Sequence, residues 1–208
     1  MRIFLFLLIA FAFLGCTKHI FNSKWTTEKS PDTFLARFET TKGSFDIQVA
    51  RKYSPEAANR FYQLLKHHLY DNTLFYRVVP NFIAQFGNTD TVMKNWDKFK
   101  VSDEKVILTN TRGAVSFARA GKETRGNIVF INLQDNPRLD TVIRLGVTGY
   151  PAFGKITRGM EVIDSLYSGY GENTMKQQKT LFTNRPLFLN TFPKLDIISK
   201  AYILKTKN

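Results

Sequence analysis

Phe75-Tyr76-Arg77-Val78-Val79-Pro80-Asn81-Phe82-Ile83-Ala84-Gln85-Phe86-Gly87 is the stretch on which the reading of this chain turns. In an extended backbone, alternation places Phe75, Arg77 and Val79 on one side and Tyr76 and Val78 on the other. Pro80-Asn81 interrupts the run and Phe82 to Gln85 resumes it, which predicts strand, turn, strand. A guanidinium, an amide and several large apolar groups thus share a short path. That surface suits a neutral, apolar, carbonyl-bearing ligand such as a peptide. It equally suits an ordinary buried strand with a salt-bridged arginine, and the run alone leaves both open.

Two further blocks lie downstream. One is Gly113-Ala114-Val115-Ser116-Phe117-Ala118-Arg119-Ala120-Gly121 followed by Gly126-Asn127-Ile128-Val129-Phe130-Ile131. The other is Arg138-Leu139-Asp140 with Ala152-Phe153-Gly154-Lys155-Ile156 and Gly159-Met160-Glu161-Val162-Ile163-Asp164. Together with the first stretch, these resemble the cyclophilins, the peptidyl-prolyl isomerase family, whose hallmark reads Phe-His-Arg, two hydrophobics, Pro-x-Phe-x-x-Gln-x-Gly. The blocks follow the family's order from about Phe34 to Asp164. Tyr76 stands where the family has histidine, and Phe86 where glycine is usual.

The chain has 208 residues, 43% hydrophobic and 23% charged, enough for one domain with appendages, and its 19 phenylalanines supply bulk for a core. Its N-terminus differs in kind. Ile3 to Leu14 is an unbroken apolar run behind Arg2, too short to span a bilayer and right for the h-region of a signal peptide. Cys16 follows it and is the only cysteine, so no intrachain disulfide forms. A lone cysteine there resembles a bacterial lipoprotein processing site, and the expected arrangement is a signal peptide over 1–15 and a polar tether over 16–32 lipidated at Cys16. The alternative is a plain signal peptide or uncleaved anchor with an incidental cysteine; Phe21 and Trp25 could also pack on the domain. The folded domain is expected over 33–208, with an insertion near 141–151 and a C-terminal extension.

The net charge is +13. Its basic residues are dispersed and no nucleic-acid motif occurs, so no nucleic-acid partner is expected; anionic lipid head groups or acidic clients fit better, and a solvated basic surface with no partner is the default reading. No nucleophile–base pair, phosphate loop or metal-ligand spacing is present, so no cofactor or metal is expected. His67 and His68 are read as helix-end residues.

Phe34 to Glu39 and Ser44 to Val49 alternate around Thr40-Thr41-Lys42-Gly43, a hairpin pattern. Ser54-Pro55-Glu56 opens a helix with Ser54 as N-cap; Ala58, Phe61, Leu65 and Leu69 face inward, and Asn59, Arg60, Gln63 and Lys66 outward. Residues 89–103 and 172–194 read as irregular, 106–110 as a short strand, and 115–118, 128–133 and 152–156 as strands. Met160 to Leu166 reads as a short helix, and Asp196 to Leu204 as a closing strand. The fold class is mainly β, and the resemblance implies a cyclophilin-like closed eight-stranded antiparallel barrel capped by two helices, with its groove outside because side chains fill the interior.

What the resemblance implies for chemistry is non-covalent. The Xaa-Pro amide resists rotation by about 18–20 kcal/mol because resonance must be broken. A donor aimed at the pyramidal proline nitrogen stabilises the twisted state above either planar one. Arg77 matches the family's catalytic arginine. Phe82, Ile83, Phe130 and Leu139 match the proline socket, with Ile83 in place of a usual methionine; Gln85 matches the amide that holds the peptide backbone and Ala118 the groove beside the substrate, while Arg119 stands where the family usually has an asparagine whose backbone contacts the peptide. Tyr150 is the nearest candidate for a groove histidine. Ile128 stands for a usual glutamine, and Arg138 for a tryptophan associated with cyclosporin sensitivity. The expected function is a peptidyl-prolyl cis-trans isomerase acting on exported proline-containing polypeptides, monomeric and held at the bacterial cell envelope through a lipid anchor. The competing readings are a catalytically weak cyclophilin-like peptide-binding chaperone or scaffold, and a basic adaptor for anionic surfaces.

Overall fold

The computed structural model describes residues 21–87 and 93–207. Strands β1 (Thr33–Thr40) and β2 (Gly43–Ala50) form the expected hairpin, with Phe34, Ala36 and Phe38 buried on one face of β1. Then come α1 (Pro55–Lys66), β3 (Thr73–Val79), β4 (Ile83–Phe86), α2 (Met93–Trp96), β5 (Ala114–Phe117) and β6 (Val129–Asn132). A single turn α3 (Arg138–Thr141) leads to a small hairpin, β7 (Ile143–Arg144) with β8 (Val147–Thr148). β9 (Ala152–Arg158), α4 (Met160–Asp164), a 3-10 segment (Gly171–Gln177), α5 (Gln178–Thr183), α6 (Arg185–Thr191) and β10 (Ile197–Lys207) complete the chain. Eight strands close a barrel in the order β1-β10-β3-β4-β6-β5-β9-β2, every neighbouring pair antiparallel. The fold expected from the sequence is present.

Aromatic rings fill the interior. Phe38 stacks on Phe45 at 5.0 Å between centroids, and Phe61 of α1 meets Phe153 at 4.8 Å. α1 packs beside Phe34 at the start of β1, while α4 lies against Gly43 at the β1–β2 turn, so the two helices close opposite ends. Stacked and tilted ring pairs of this kind add to the burial of apolar area.

Several expectations need correction. Of the four residues expected to point outward from α1, Lys66 does, but Asn59, Arg60 and Gln63 are buried. Asn59 accepts from the Ser30 amide at 2.9 Å, and Gln63 donates to the Thr26 and Glu28 carbonyls at 3.1 and 2.7 Å. Arg60 donates to the Phe99 carbonyl at 2.5 Å and lies over Trp96. The N-terminal segment and the 93–99 segment thus supply partners for most of these buried polar atoms, while Asn59 Nδ2 and Arg60 Nε have none among the described residues. So from Phe21 the chain is docked on the barrel. Ser23–Thr27 forms a 3-10 turn, Phe21 meets Trp96 edge-on at 5.5 Å, and Trp25 stacks on His67 at 4.0 Å. The part of the 16–32 tether that the structure describes is packed, and Phe21 and Trp25 do contact the domain. The signal segment and Cys16 lie outside the described residues.

Ser54 does not cap α1 with its own side chain; Glu104 does, accepting from the Glu56 and Ala57 amides at 2.9 and 3.4 Å. Residues 106–110 make only an isolated bridge, Leu108 to Ala152, because Asn110 turns its side chain into the interior instead of pairing along a strand. Within 89–103, α2 replaces part of the expected loop. Residues 172–194 are helical rather than irregular. They fold over the outside of β3, where Leu74, Tyr76, Leu181, Phe188, Phe192 and Leu195 make a second apolar core.

Candidate active site

The side of the barrel that carries Arg77 is set by an irregularity in β3. The ladder pairs Phe75 with Phe86 and Arg77 with Gln85, which leaves Tyr76 as an extra residue. A bulge of this kind breaks the alternation and re-aims the next side chain. Phe75 and Val78 therefore enter the barrel core, whereas Tyr76 and Arg77 both turn outward. Strict alternation had placed Arg77 beside Phe75; the bulge places it beside Gln85.

Arg77 lines an open cleft of about 900 Å³ on the barrel's outer surface. Each of the other expected site residues, Phe82, Ile83, Gln85, Ala118, Arg119, Phe130, Leu139 and Tyr150, lines the same cleft. Ile83, Phe130 and Leu139 form a buried apolar floor, with Phe82, Ala118 and Tyr150 packed at its edge. Phe130 and Tyr150 meet edge-on at 5.7 Å. Arg77 and Arg138 each sit with the guanidinium carbon 5.7 Å from the Phe82 ring centre. Ile128, where a glutamine was usual, also reaches the cleft.

Arg77 makes three hydrogen bonds. Nη1 donates to Gln85 Oε1 at 2.9 Å, Nε to Glu172 Oε2 at 2.9 Å and Nη2 to Glu172 Oε1 at 2.5 Å. A guanidinium has five N–H groups, so one on each terminal nitrogen is unpartnered among the described residues. Gln85 in turn donates through Nε2 to the Tyr76 hydroxyl at 2.8 Å. Complete burial pushes the ionisation of Tyr76 upward, so it serves as a neutral acceptor that orients the amide.

Arg119 stacks over Tyr150 at 4.9 Å and donates through Nη2 to the Val147 carbonyl at 3.0 Å and to that of Gly149. Desolvation lowers its pKa. Gly149 itself packs against the end of α3. Its φ is +63°, and a Cβ there would fall 2.3 Å from the Asp140 carbonyl oxygen.

A polar network behind the floor was not visible in the sequence. Asn136 donates through Nδ2 to the Phe82 carbonyl at 3.0 Å and to Asn132 Oδ1 at 2.9 Å. Asn110 donates to Asp140 at 2.7 Å and to the Tyr150 carbonyl at 2.8 Å. These buried amides tie the Phe82 turn, α3 and Tyr150 to one another, and a fully bonded network of this sort fixes one geometry. Glu172, Met175, Gln178 and Phe182, from the segment expected to be irregular, also border the site. No group of three or more His, Cys, Asp or Glu side chains among the described residues could hold a metal.

A family model described as "Cyclophilin type peptidyl-prolyl cis-trans isomerase/CLD" matches residues 35–184. The chain belongs to this cyclophilin family. It is 34% identical over 141 residues to Peptidyl-prolyl cis-trans isomerase CYP18-2 of Arabidopsis thaliana, covering 65% of this chain and 82% of that protein. To a peptidyl-prolyl cis-trans isomerase of Acinetobacter baylyi it is 30% identical over 166 residues, covering 76% and 87%. The crystal structure of a cyclophilin-type isomerase from Cryptosporidium parvum shares the fold, with a TM-score of 0.60 at 22% identity over 84% of this chain and 99% of that one. The enzyme class expected from the motifs is that of the cyclophilin relatives.

Proposed function

We propose that the cleft isomerises Xaa-Pro bonds in extended polypeptide segments, with Arg77 acting at the proline nitrogen. The observation that carries this is the placement of a guanidinium with two unpartnered N–H groups in the same cleft as an apolar floor of Ile83, Phe130 and Leu139. The floor takes the proline ring. Gln85 and Arg119 hold polar positions on either side of the peptide path. Rotation localises a lone pair on the imide nitrogen, and the cation donates to it. Because that lone pair is delocalised into the carbonyl in both planar forms, the interaction lowers the barrier without tightening ground-state binding. The guanidinium stays protonated throughout, so no proton is exchanged.

The test is a protease-coupled assay on a Xaa-Pro peptide with wild type and Arg77→Ala. Removing one transition-state donor lowers the catalysed rate by about 10²–10³-fold. Equal rates for the two proteins, with the fold intact, refute the assignment.

For location, the apolar run Ile3–Leu14 followed by Cys16 supports a lipid-anchored protein of the bacterial cell envelope that acts on exported clients. Five residue steps separate Cys16 from Phe21, which reach at most about 18 Å. The domain then rides close to the bilayer, where a basic surface meets anionic head groups. A Cys16→Ser protein is expected in the soluble fraction; retention of that variant in membranes contradicts lipidation.

A further inference from the structure

Glu172 is 95 residues from Arg77 in sequence and takes two of its five donors. The bulge leaves Arg77 on an outward-facing position, where a free side chain would sample many rotamers. Gln85 alone holds one nitrogen and leaves the guanidinium plane free to turn about that bond. The bidentate carboxylate removes this freedom, since two parallel N–H···O bonds define a plane. The carboxylate's own mounting is firm. Thr174 in its 3-10 segment is buried, and Tyr170, just before it, meets Phe192 edge-on at 5.0 Å in the second core. The same stretch carries Met175, Gln178 and Phe182 to the cleft wall. A carboxylate also opposes the field of the cation it holds. Here its side chain is 57% exposed while that of Arg77 is 18% exposed. Water on the carboxylate side weakens the Coulombic part of the pair, and the two directed hydrogen bonds still define the guanidinium plane.

We propose that Glu172 is a positioning residue for isomerisation: it clamps one edge of the Arg77 guanidinium and so fixes the two remaining N–H groups for the twisted imide. The proposal rests on Arg77 being the group that acts at the proline nitrogen. A preorganised donor needs no reorientation as the lone pair develops, so the clamp works on turnover rather than on binding.

The experiment compares wild type, Glu172→Gln, Glu172→Asp and Arg77→Lys by isomerisation kinetics and by NMR of arginine Nε–H groups. Wild-type activity that is lost in Arg77→Lys establishes the underlying reading on its own. Given that, Glu172→Gln is expected to lower kcat at least about fivefold with KM within about twofold, and Glu172→Asp to retain part of the loss. The Arg77 Nε–H signal, identified by its absence in Arg77→Lys, is expected to be protected from exchange in wild type and exposed in Glu172→Gln. A purely structural role would leave that signal and the split between kcat and KM unmoved. If Glu172→Gln matches or exceeds the wild-type rate, the clamp is neutral or inhibitory and the proposal is overturned. A protected Nε–H in Glu172→Gln overturns it equally, and this signal reports even where turnover is too slow to measure.

Discussion

Replacing Glu104 by alanine removes two supports with one change. Its carboxylate caps α1 through the Glu56 and Ala57 amides and pairs with Arg125 Nη1 at 2.9 Å. The side chain of Arg125 is 1% exposed, so its charge has no access to water once the partner is gone. Stranding one member of a buried pair costs about 3–5 kcal/mol. Losing a helix cap costs roughly 1 kcal/mol. The two overlap, because one carboxylate serves both, and Arg125 keeps the Ser54 hydroxyl and the Ser102 carbonyl. A net loss of about 4 kcal/mol follows. For a chain of this length that lowers Tm by roughly 8–16 °C.

Calorimetry measures the single variant, and the double variant Glu104→Ala/Arg125→Met separates the causes. With no charge left to strand, the double variant is expected to recover more than half of the loss. Thr124, Gly126 and Asn127, neighbours of Arg125, line the cleft, so KM for a Xaa-Pro peptide is expected to rise in the single variant below its melting range. A loss under about 1 kcal/mol, or a double variant no more stable than the single, refutes the claim that this pair anchors the cleft wall to α1.

Asp46 predicts the acid limb of the stability curve. It accepts from Arg37 at 2.8 and 2.9 Å and from Arg158 at 3.0 Å, and the Arg37 bonds above all hold its pKa below the ordinary 3.8. Its folded pKa is depressed, so the stabilisation is complete above about pH 4 and is lost as pH falls through the folded value. Asp46→Asn is expected to be less stable than wild type by about 1–3 kcal/mol at pH 7 and to converge with it in strong acid; parallel curves across that range in urea titrations would exclude the linkage. Phe130→Ala removes most of the apolar floor and is expected to lower kcat/KM at least about tenfold for a Xaa-Pro peptide, from roughly 1.5–3 kcal/mol of lost apolar contact. An unchanged kcat/KM in a folded variant places the proline ring elsewhere.

The parts of the fold that were legible in the sequence are those whose cause is local. β1 and β2 carry a period of two across a short turn, and Pro55 marks the start of α1. The cleft floor was legible because Ile83, Phe130 and Leu139, with Phe82 at their edge, sit in ordered blocks whose spacing a barrel then folds together. What was not legible depends on contacts between distant segments. Asn59, Arg60 and Gln63 look like a solvated helix face because their partners, Ser30, Phe99, Thr26 and Glu28, lie 29 to 39 residues away. The helical segment after Tyr170 is polar in composition, and only the apolar face of Tyr76 and Leu74 gives its few Leu and Phe residues a surface to bury against.

The orientation of Arg77 shows why alternation fails at the edge of the cleft. Period two assumes an unbroken ladder, and the extra residue at Tyr76 is defined only by the register of β4 against β3. Nothing within the Phe75–Val79 stretch encodes that shift. The partner of Arg77 is less legible still. With 17 acidic residues in the chain, the sequence offers many candidate carboxylates and no reason to choose Glu172. Both readings of the first stretch prove to describe one object: Arg77 is salt-bridged, and it also lines a peptide-sized cleft. The ion pair takes one edge of the guanidinium and the cleft is left with N–H groups that have no partner among the described residues, so the salt bridge and the cleft lining are separate uses of the same five donors.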